Sequence, residues 1–398
     1  MIQPAIAGGK SVRKNFLVFG KPKITNKEIN EVVKTLKSGW LGTGPKTKIF
    51  EDNFKKFIGC KYAVALNSCT AGLHLALDVL GIKEGDEVIT TPLTFASTAN
   101  VIVHHQAKPV FVDIDINSWN IDYKQIEKKI TKKTKAIIPV HLHGRPCQMD
   151  KISQIAKKYQ LFVIEDAAHA AESIYRSKKI GTISDFTAFS FYVTKNIMTG
   201  EGGMLTTNNS IWAQEARIRS LHGISKDAWK RYSKDGYSPY ETLYPGYKYN
   251  MMDLVASLGI HQLAQVKQNF KIRQKYWDIF NKAFKDVPEL ILPAPEENNT
   301  THARHLYAIL LKIEKLKISR DTFINALSKE GIGSGVHFTP LHLHKYYRET
   351  YKYKLVDFPN AEFVGSRSIS LPLSPAMTNK DIIDVINAVL KIVSFYKK

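Results

Sequence analysis

Between residues 26 and 255 short apolar runs alternate with amphipathic helical segments, and this alternation restricts the fold more than any other feature of the chain. The runs DEVITTP, KPVFVDID, TKAIIPVHLHG, LFVIEDAAH, FTAFSFY and GGMLTTN lack a clean two-residue alternation. Most are too short for helices, which suits strands buried on both faces. Helical patterns lie between or before them: KEINEVVKTLKSG behind an Asn26 cap, TAGLHLALDVLGI stopped by Gly81, and MDKISQIAKKYQ. The expectation is an α/β fold with a mostly parallel sheet between helical layers. From Asp253 one long helical pattern runs to KAF, with Leu254, Leu258, Val266, Phe270 and Phe280 as its apolar stripe. After the connection PELILPAPEENNT a smaller α/β unit reads as strand HLYAILLKI, helix SRDTFINALSKEG, strands GVHFT and SISLPLS, and closing helix TNKDIIDVINAVLKIV. Ser319 and Thr378 are the N-caps expected for its two helices. A chain of 398 residues exceeds one core of the usual size. The expected division is an N-terminal arm 1–25, a large domain 26–255, and the long helix with a small C-terminal domain over 256–398.

Composition excludes several classes. No apolar run approaches the ~18–20 residues of a membrane span, and no signal-peptide core is present, so a cytoplasmic protein is expected. Cys60, Cys69 and Cys147 are isolated, which suggests neither a disulfide framework nor a zinc site, and no metal is expected. The formal charge of +21 is dispersed along the chain and carried mainly by lysine. That pattern suits attraction of an anionic small substrate rather than nucleic-acid binding.

Four segments could carry chemistry. LFVIEDAAHA ends a strand at Glu165-Asp166, three residues before His169. A strand-end carboxylate can hold a protonated heterocycle, each offsetting the other's desolvation, or it can simply cap a helix. FTAFSFYVTKNIMTGEGGM places a solitary Lys195 past an apolar strand, ahead of glycines that allow a tight turn. Desolvation there would leave the amine neutral enough for Schiff-base chemistry; a surface lysine is the ordinary alternative. ALNSCTAGLHLAL sets Cys69 and Thr70 at a helix N-terminus whose free N–H groups suit an anion, with Ser190 of AFSFY as a further hydroxyl. Phe95 in TTPLTFAS is either a stacking aromatic or a core residue.

Taken together and in this order, these segments resemble the DegT/StrS-type sugar aminotransferases of the aspartate-aminotransferase fold. The resemblance runs from about Phe16 to the C-terminus. It is carried by GWLGTGPKTKIFE, ALNSCTAGLHLAL, TTPLTFASTAN, VHLHGRPCQMD, VIEDAAHA, FSFYVTKNIMTGEGGM, PGYKYNMMDL, GVHFTPLHLHKYY and SISLPLSP. It implies a seven-stranded large-domain sheet and pyridoxal 5'-phosphate as cofactor, passing through its pyridoxamine form. Lys195 would form the Schiff base, Asp166 would pair with the pyridine nitrogen and His169 would face the phenolic oxygen. Phe95 would cover the ring, and Cys69, Thr70 and Ser190 would hold the phosphate. Where relatives commonly read GYNYRM this chain reads GYKYNM, so either Lys248 or Asn250 reaches the partner subunit's phosphate in a homodimer with shared sites; Asn250 is the expected one. Gly42, Thr43, Gly44, Trp229, Lys230, Arg231 and His337 are expected around the substrate. The implied reaction transfers nitrogen from L-glutamate to a nucleotide-linked keto-sugar, with a UDP-4-keto-6-deoxy hexose expected, for surface polysaccharide or glycan synthesis. GDP- or dTDP-sugars, amination at C3 and a non-catalytic regulator are the alternatives. Lysine at 195 argues against the dehydratase branch, which carries histidine there.

Overall fold

The computed structural model describes residues 2–225 and 241–398. Seven strands form the principal sheet: β1 (Tyr62–Leu66), β2 (Glu87–Thr90), β3 (Lys108–Phe111), β4 (Thr134–Ile137), β5 (Phe162–Asp166), β8 (Phe186–Ser190) and β9 (Gly203–Thr207). A small hairpin, β6 (Ile174–Tyr175) with β7 (Lys178–Lys179), lies between β5 and β8 in sequence. The sheet order is β1-β9-β8-β5-β4-β2-β3. Only β9 opposes the others, pairing antiparallel with both β1 and β8. The expected mostly parallel sheet is therefore present. β1 was not among the runs recognised in the sequence; its YAVAL is short, with two alanines in five residues.

Both faces of the sheet are covered. Along β1, Ala63 and Ala65 join a core with Phe50, Phe54, Phe189 and Phe191, whereas Val64 and Leu66 join another with Leu73, Leu75, Val101 and Ala216. Burial of one phenylalanine contributes roughly 1.5–3 kcal/mol, so the four-ring cluster anchors the first layer. Four helices precede or separate the first strands: α1 (Asn26–Ser38), α2 (Pro45–Ile58), α3 (Cys69–Val79) and α4 (Ala96–His104). The cap of α1 is Thr25 rather than Asn26. Its hydroxyl and Glu28 form a reciprocal capping box, which a serine or threonine three residues ahead of an acid favours.

The long helix spans Asp253–Phe284. Ala256, Leu263 and Val266 pack into the first core, and Tyr276, Trp277, Phe280 and Phe284 into a second. Leu254, Leu258 and Phe270, expected in the buried stripe, are only half-buried. The buried row runs instead through small and polar positions, Gly259 among them, where a Cβ would come within 2.6 Å of the Phe50 ring. The second core also takes Leu17 from the N-terminal arm, together with the helices Arg320–Lys329 and Asn379–Tyr396. Ser319 and Thr378 cap those helices as expected. The small antiparallel sheet is β10 (Leu290–Ile291), β11 (Tyr307–Leu311) and β12 (Ser368–Leu371). GVHFT is not a strand; among the described residues its only pairing is a bridge from Gly335 to Ser370, and the third strand comes from the connection PELI. A fourth cluster joins Leu93 and Phe111 to Ala308, Leu310 and Val364, fixing this sheet against the edge of the large one. Among the described residues, no helix is long and apolar enough to cross a membrane.

Candidate active site

The carboxyl ends of β1, β2, β4, β5 and β8 and the first residue of β9 lie along one edge of the principal sheet. Cys69 and Thr70 follow β1, Phe95 follows β2, and Asp166 closes β5 with His169 three residues on. Ser190 closes β8, and Lys195 follows it. Ligands in open α/β folds gather at this edge.

The anion end is built around Gly203. Gly203 is the register partner of both Leu66 on β1 and Ser190 on β8. A Cβ on it would lie 2.3 Å from the Ser68 carbonyl carbon and 2.6 Å from the Cys69 nitrogen. Only glycine lets β9 press against the start of α3, and this brings Ser190 alongside the helix terminus. Ser68 caps α3 by accepting the Ala71 N–H at 3.1 Å. The N–H groups of Cys69 and Thr70, at the first turn, have no intrahelical partner. Burial holds the Cys69 thiol well above its usual range, so this position offers an uncharged side chain and a backbone donor. Gly203→Ala is expected to cost about 1–3 kcal/mol of stability from overpacking and to weaken cofactor retention. Thermal unfolding with and without added cofactor checks both.

At the opposite end Asp166 is 4% exposed. Thr98 donates to its Oδ2 at 2.7 Å and the Ala168 N–H to its Oδ1 at 3.1 Å. Burial still raises this carboxyl above the usual carboxylate range, opposed by those hydrogen bonds and by the charges of Lys195 and His141. A carboxylate held dry by neutral donors fits a cationic ring nitrogen, which would offset its desolvation. Its backbone is pinned from both sides, by Pro139 O and by the His141 N–H. Behind it a buried His141–Glu165 contact at 2.8 Å joins the ends of β4 and β5.

Lys195 is drawn down to about 8 by burial, opposed by Cys69 and Asp166. At that value a substantial fraction of the amine is neutral near physiological pH. His169 is buried and held well below its usual range by burial and by the charge of Lys195. Its Nδ1 accepts the His143 N–H at 3.1 Å, so the neutral ring carries its proton on Nε2. Phe338 stacks on the His169 ring at 17° and 6.1 Å. Phe95 is 61% exposed and lies 5.9 Å from Phe338, open to a ligand ring or to another chain. The donor set is thus a helix N-terminus with a serine for a phosphate, a buried carboxylate for a ring cation, an imidazole N–H for a ring oxygen and a depressed lysine. It fits pyridoxal 5'-phosphate.

Other expected residues are placed differently. Two donors of the Gly42–Gly44 turn are taken: the Gly44 N–H goes to Asp253 at 2.8 Å and the Thr43 hydroxyl to Met251 O at 2.5 Å. Asp253 also takes the Lys46 and Thr47 N–H groups, so this turn joins α2 to the long helix instead of offering those donors to a diphosphate. Asn250 donates to Thr43 Oγ1 at 2.6 Å and bridges to Leu66 within its own chain, while Lys248 is exposed. His337 reaches the site's edge, bonding Ser370 at 2.8 Å, and burial lowers it to about 3. Trp229, Lys230 and Arg231 lie outside the described residues. Sequence reading missed Thr98, His143, Asn196 and His305. Each is distant in sequence from the group it contacts, apart from Asn196 beside Lys195, and no local pattern marks them.

The comparisons with known proteins agree with this geometry. Residues 22–390 match the model of the DegT/DnrJ/EryC1/StrS aminotransferase family. The chain belongs to that family. Within it, the chain is 50% identical over 96% of its length to the spore coat polysaccharide biosynthesis protein SpsC of Bacillus subtilis, covering 98% of that protein. Among solved structures, the proposed sugar aminotransferase Spr1654 of Streptococcus pneumoniae in its PMP form superposes with a TM-score of 0.89 at 34% identity, over 95% of this chain and 99% of that one. The PLP form of Spr1654 gives 0.88 at 33% identity, over 96% and 99%. Helicobacter pylori PseC, an aminotransferase involved in pseudoaminic acid biosynthesis, gives 0.89 at 27%, over 96% of this chain and all of that one. As a member of the family, this chain is a pyridoxal-phosphate-dependent sugar aminotransferase.

Proposed function

We propose that the chain transfers the amino group of L-glutamate to a keto-sugar carried on a nucleoside diphosphate, with a UDP-linked 4-keto-6-deoxy hexose as acceptor. The product would be an amino-sugar for surface polysaccharide or glycan synthesis. The observation that carries the reading is the pairing of a depressed Lys195 with a buried, cation-seeking Asp166 along one sheet edge. SpsC and PseC, with their polysaccharide and sugar-acid pathways, support the sugar class. The excess of positive charge suits a diphosphate-bearing substrate.

The bound cofactor supplies an electron sink and carries nitrogen between the two substrates. The N–H groups of Cys69 and Thr70, with the hydroxyls of Thr70 and Ser190, would hold its phosphate. Asp166 would keep the ring nitrogen protonated, and the His169 Nε2–H would donate to the ring oxygen. Lys195, once its amine is free, takes the proton from the α-carbon of the amino donor as general base. In the second half-reaction the same amine works in reverse, delivering a proton to the sugar carbon that receives nitrogen. Phe95 would cover the ring and exclude water.

The active unit in this reading is a homodimer. Trp40, Leu41, Phe95 and Met252 are all exposed around the site edge and the Gly42–Gly44 turn, an apolar surface suited to a second copy. Asn250 being tied to its own chain, the exposed Lys248 is the better group to reach the partner's phosphate. A monomer by sedimentation would remove this part. The three free cysteines, all buried, suit a reducing cytoplasm. The test of substrate is a panel of UDP-, GDP- and dTDP-linked keto-sugars incubated with glutamate. Product mass and the carbon bearing nitrogen are then read. Amination confined to free 2-keto acids or to sugars without a nucleotide would overturn the assignment.

A further inference from the structure

Lys195 closes a tight turn, and its two neighbours in the chain are held by different parts of the molecule. On the C-terminal side, Asn196 Nδ2 donates to Glu172 Oε2 at 2.8 Å and to Ala303 O at 3.0 Å, and its Oδ1 lies 3.0 Å from His305 Nδ1. Glu172 is itself anchored by Arg273, 1% exposed on the long helix. On the N-terminal side, the Lys195 N–H donates to Tyr192 O at 2.8 Å, which leaves Val193 and Thr194 at the two central positions of a β-turn. The corner residue Thr194 meets the N-terminal arm at Gly20. A Cβ on Gly20 would lie 2.8 Å from Thr194 Cγ2, 3.1 Å from its Cβ and 3.8 Å from its Cα. Carbon atoms in ordinary contact stand about 3.5–4.0 Å apart, so at this point only glycine lets the arm come so close. Gly20 also has φ +68°, in the left-handed region. The arm is tied on both sides of this contact. Leu17 N donates to Gly331 O at 2.8 Å and Leu17 O accepts the Gly333 N–H at 2.9 Å. Beyond Gly20, Ser374 Oγ donates to Lys21 O at 2.6 Å and Gln262 Nε2, from the long helix, to Lys23 O at 2.9 Å.

We propose that Gly20 is a positioning residue for Lys195: its backbone, packed on Thr194, fixes the corner of the turn that carries the lysine and so sets where the amine stands along the sheet edge. The proposal rests on the reading of Lys195 as the reacting amine. The ammonium ends a flexible four-carbon stem, so its place depends on how firmly the backbone beneath it is held. Thr194 and Lys195 share a planar peptide unit, and a shift of the corner passes directly to the Lys195 Cα. With Asn196 held by its three contacts, the segment cannot relieve such a shift by sliding as a whole. The displacement falls on Lys195 itself.

A pair of substitutions separates positioning from mere packing. Gly20→Ala drives a Cβ against Thr194. With loaded enzyme its kcat is expected to fall about tenfold or more with little change in either KM, the scale of a misplaced reacting group. Thr194→Ala removes Cγ2, the nearest atom, and leaves a contact that a shift of a few tenths of an ångström relieves. In the double variant kcat should return to within about threefold of Thr194→Ala alone. Its unfolding temperature should recover only in part, because alanine at position 20 still carries the left-handed strain. A loss of rate that came from stability alone would follow the unfolding temperature instead. The second readout needs neither substrate nor cofactor. Lys195 in the cofactor-free protein is labelled with an amine-reactive reagent across pH, and the modified peptide is followed by mass. Burial sets the labelling midpoint at about 8 in the native chain. A turn pushed from its place exposes the amine, so the midpoint should rise toward the ordinary lysine range in Gly20→Ala and return in the double variant. A Gly20→Ala enzyme within about threefold of wild-type kcat, a loss that Thr194→Ala does not relieve, or an unmoved labelling midpoint overturns the proposal. A protein that aminates no sugar but keeps these labelling shifts would overturn the substrate reading alone.

Discussion

Lys195→Ala and Lys195→Arg abolish turnover, with an expected loss of at least about 10⁴-fold, while the protein remains folded. Two contributions disappear together: the nucleophilic amine that bonds the cofactor, and the general base and acid for the carbon proton, itself a factor of about 10²–10⁴. Arginine is the sharper variant. It preserves positive charge opposite Asp166, and its guanidinium neither forms a Schiff base nor releases a proton near neutrality. The native amine works because burial brings it down to about 8. Product mass in single- and multiple-turnover reactions measures the loss, and thermal unfolding shows whether the fold persists. Activity within tenfold of wild type in the arginine variant would sink the mechanism.

Asp166→Asn carries the second large effect, in opposite directions for catalysis and for stability. In the loaded enzyme a neutral amide no longer stabilises a protonated ring, and turnover is expected to fall about 10³-fold, equivalent to about 4 kcal/mol. In the cofactor-free protein the buried carboxyl lies above its unfolded value. A group raised in this way contributes stability fully below the unfolded pKa, and that contribution is lost as pH rises through the folded one. Wild type therefore bears a buried charge that its hydrogen bonds and Lys195 only partly compensate at neutral pH, and asparagine removes it. The cofactor-free variant should unfold at a higher temperature than wild type near pH 7, and the difference should close in acid. Added cofactor should reverse the order, because a ring cation then balances the native carboxylate. A cofactor-free wild type that is the more stable at pH 7 would show that Asp166 is already paired.

The reach of local sequence is visible residue by residue. Asp166 and Lys195 stood out because each follows a run of apolar residues too short for a helix, and a polar group at the end of such a run falls at the sheet's ligand-binding edge. The start of α3 stood out through its cap and amphipathic pattern. Gly42–Gly44 had the look of an anion-binding turn, yet Asp253, more than 200 residues on, takes the Gly44 N–H at 2.8 Å and those of Lys46 and Thr47 just after it at 2.9 Å. GVHFT had the composition of a strand, but among the described residues only one bridge pairs it.

Hydrophobic period, a local property, was enough to determine the α/β class; strand-end position marked Asp166 and Lys195 as candidates, and the resemblance of the ordered motifs gave them their expected roles. The sheet order, with β9 reversed against β8 and β1, was decided only by tertiary pairing, and so was the glycine contact that closes the anion end. The same holds for Thr98 on Asp166 and for the Arg273–Glu172–Asn196–His305 chain beside Lys195. Such contacts satisfy buried polar groups across long separations in the chain. A desolvated donor or acceptor takes whichever partner the packing brings near, and packing is a property of the whole fold.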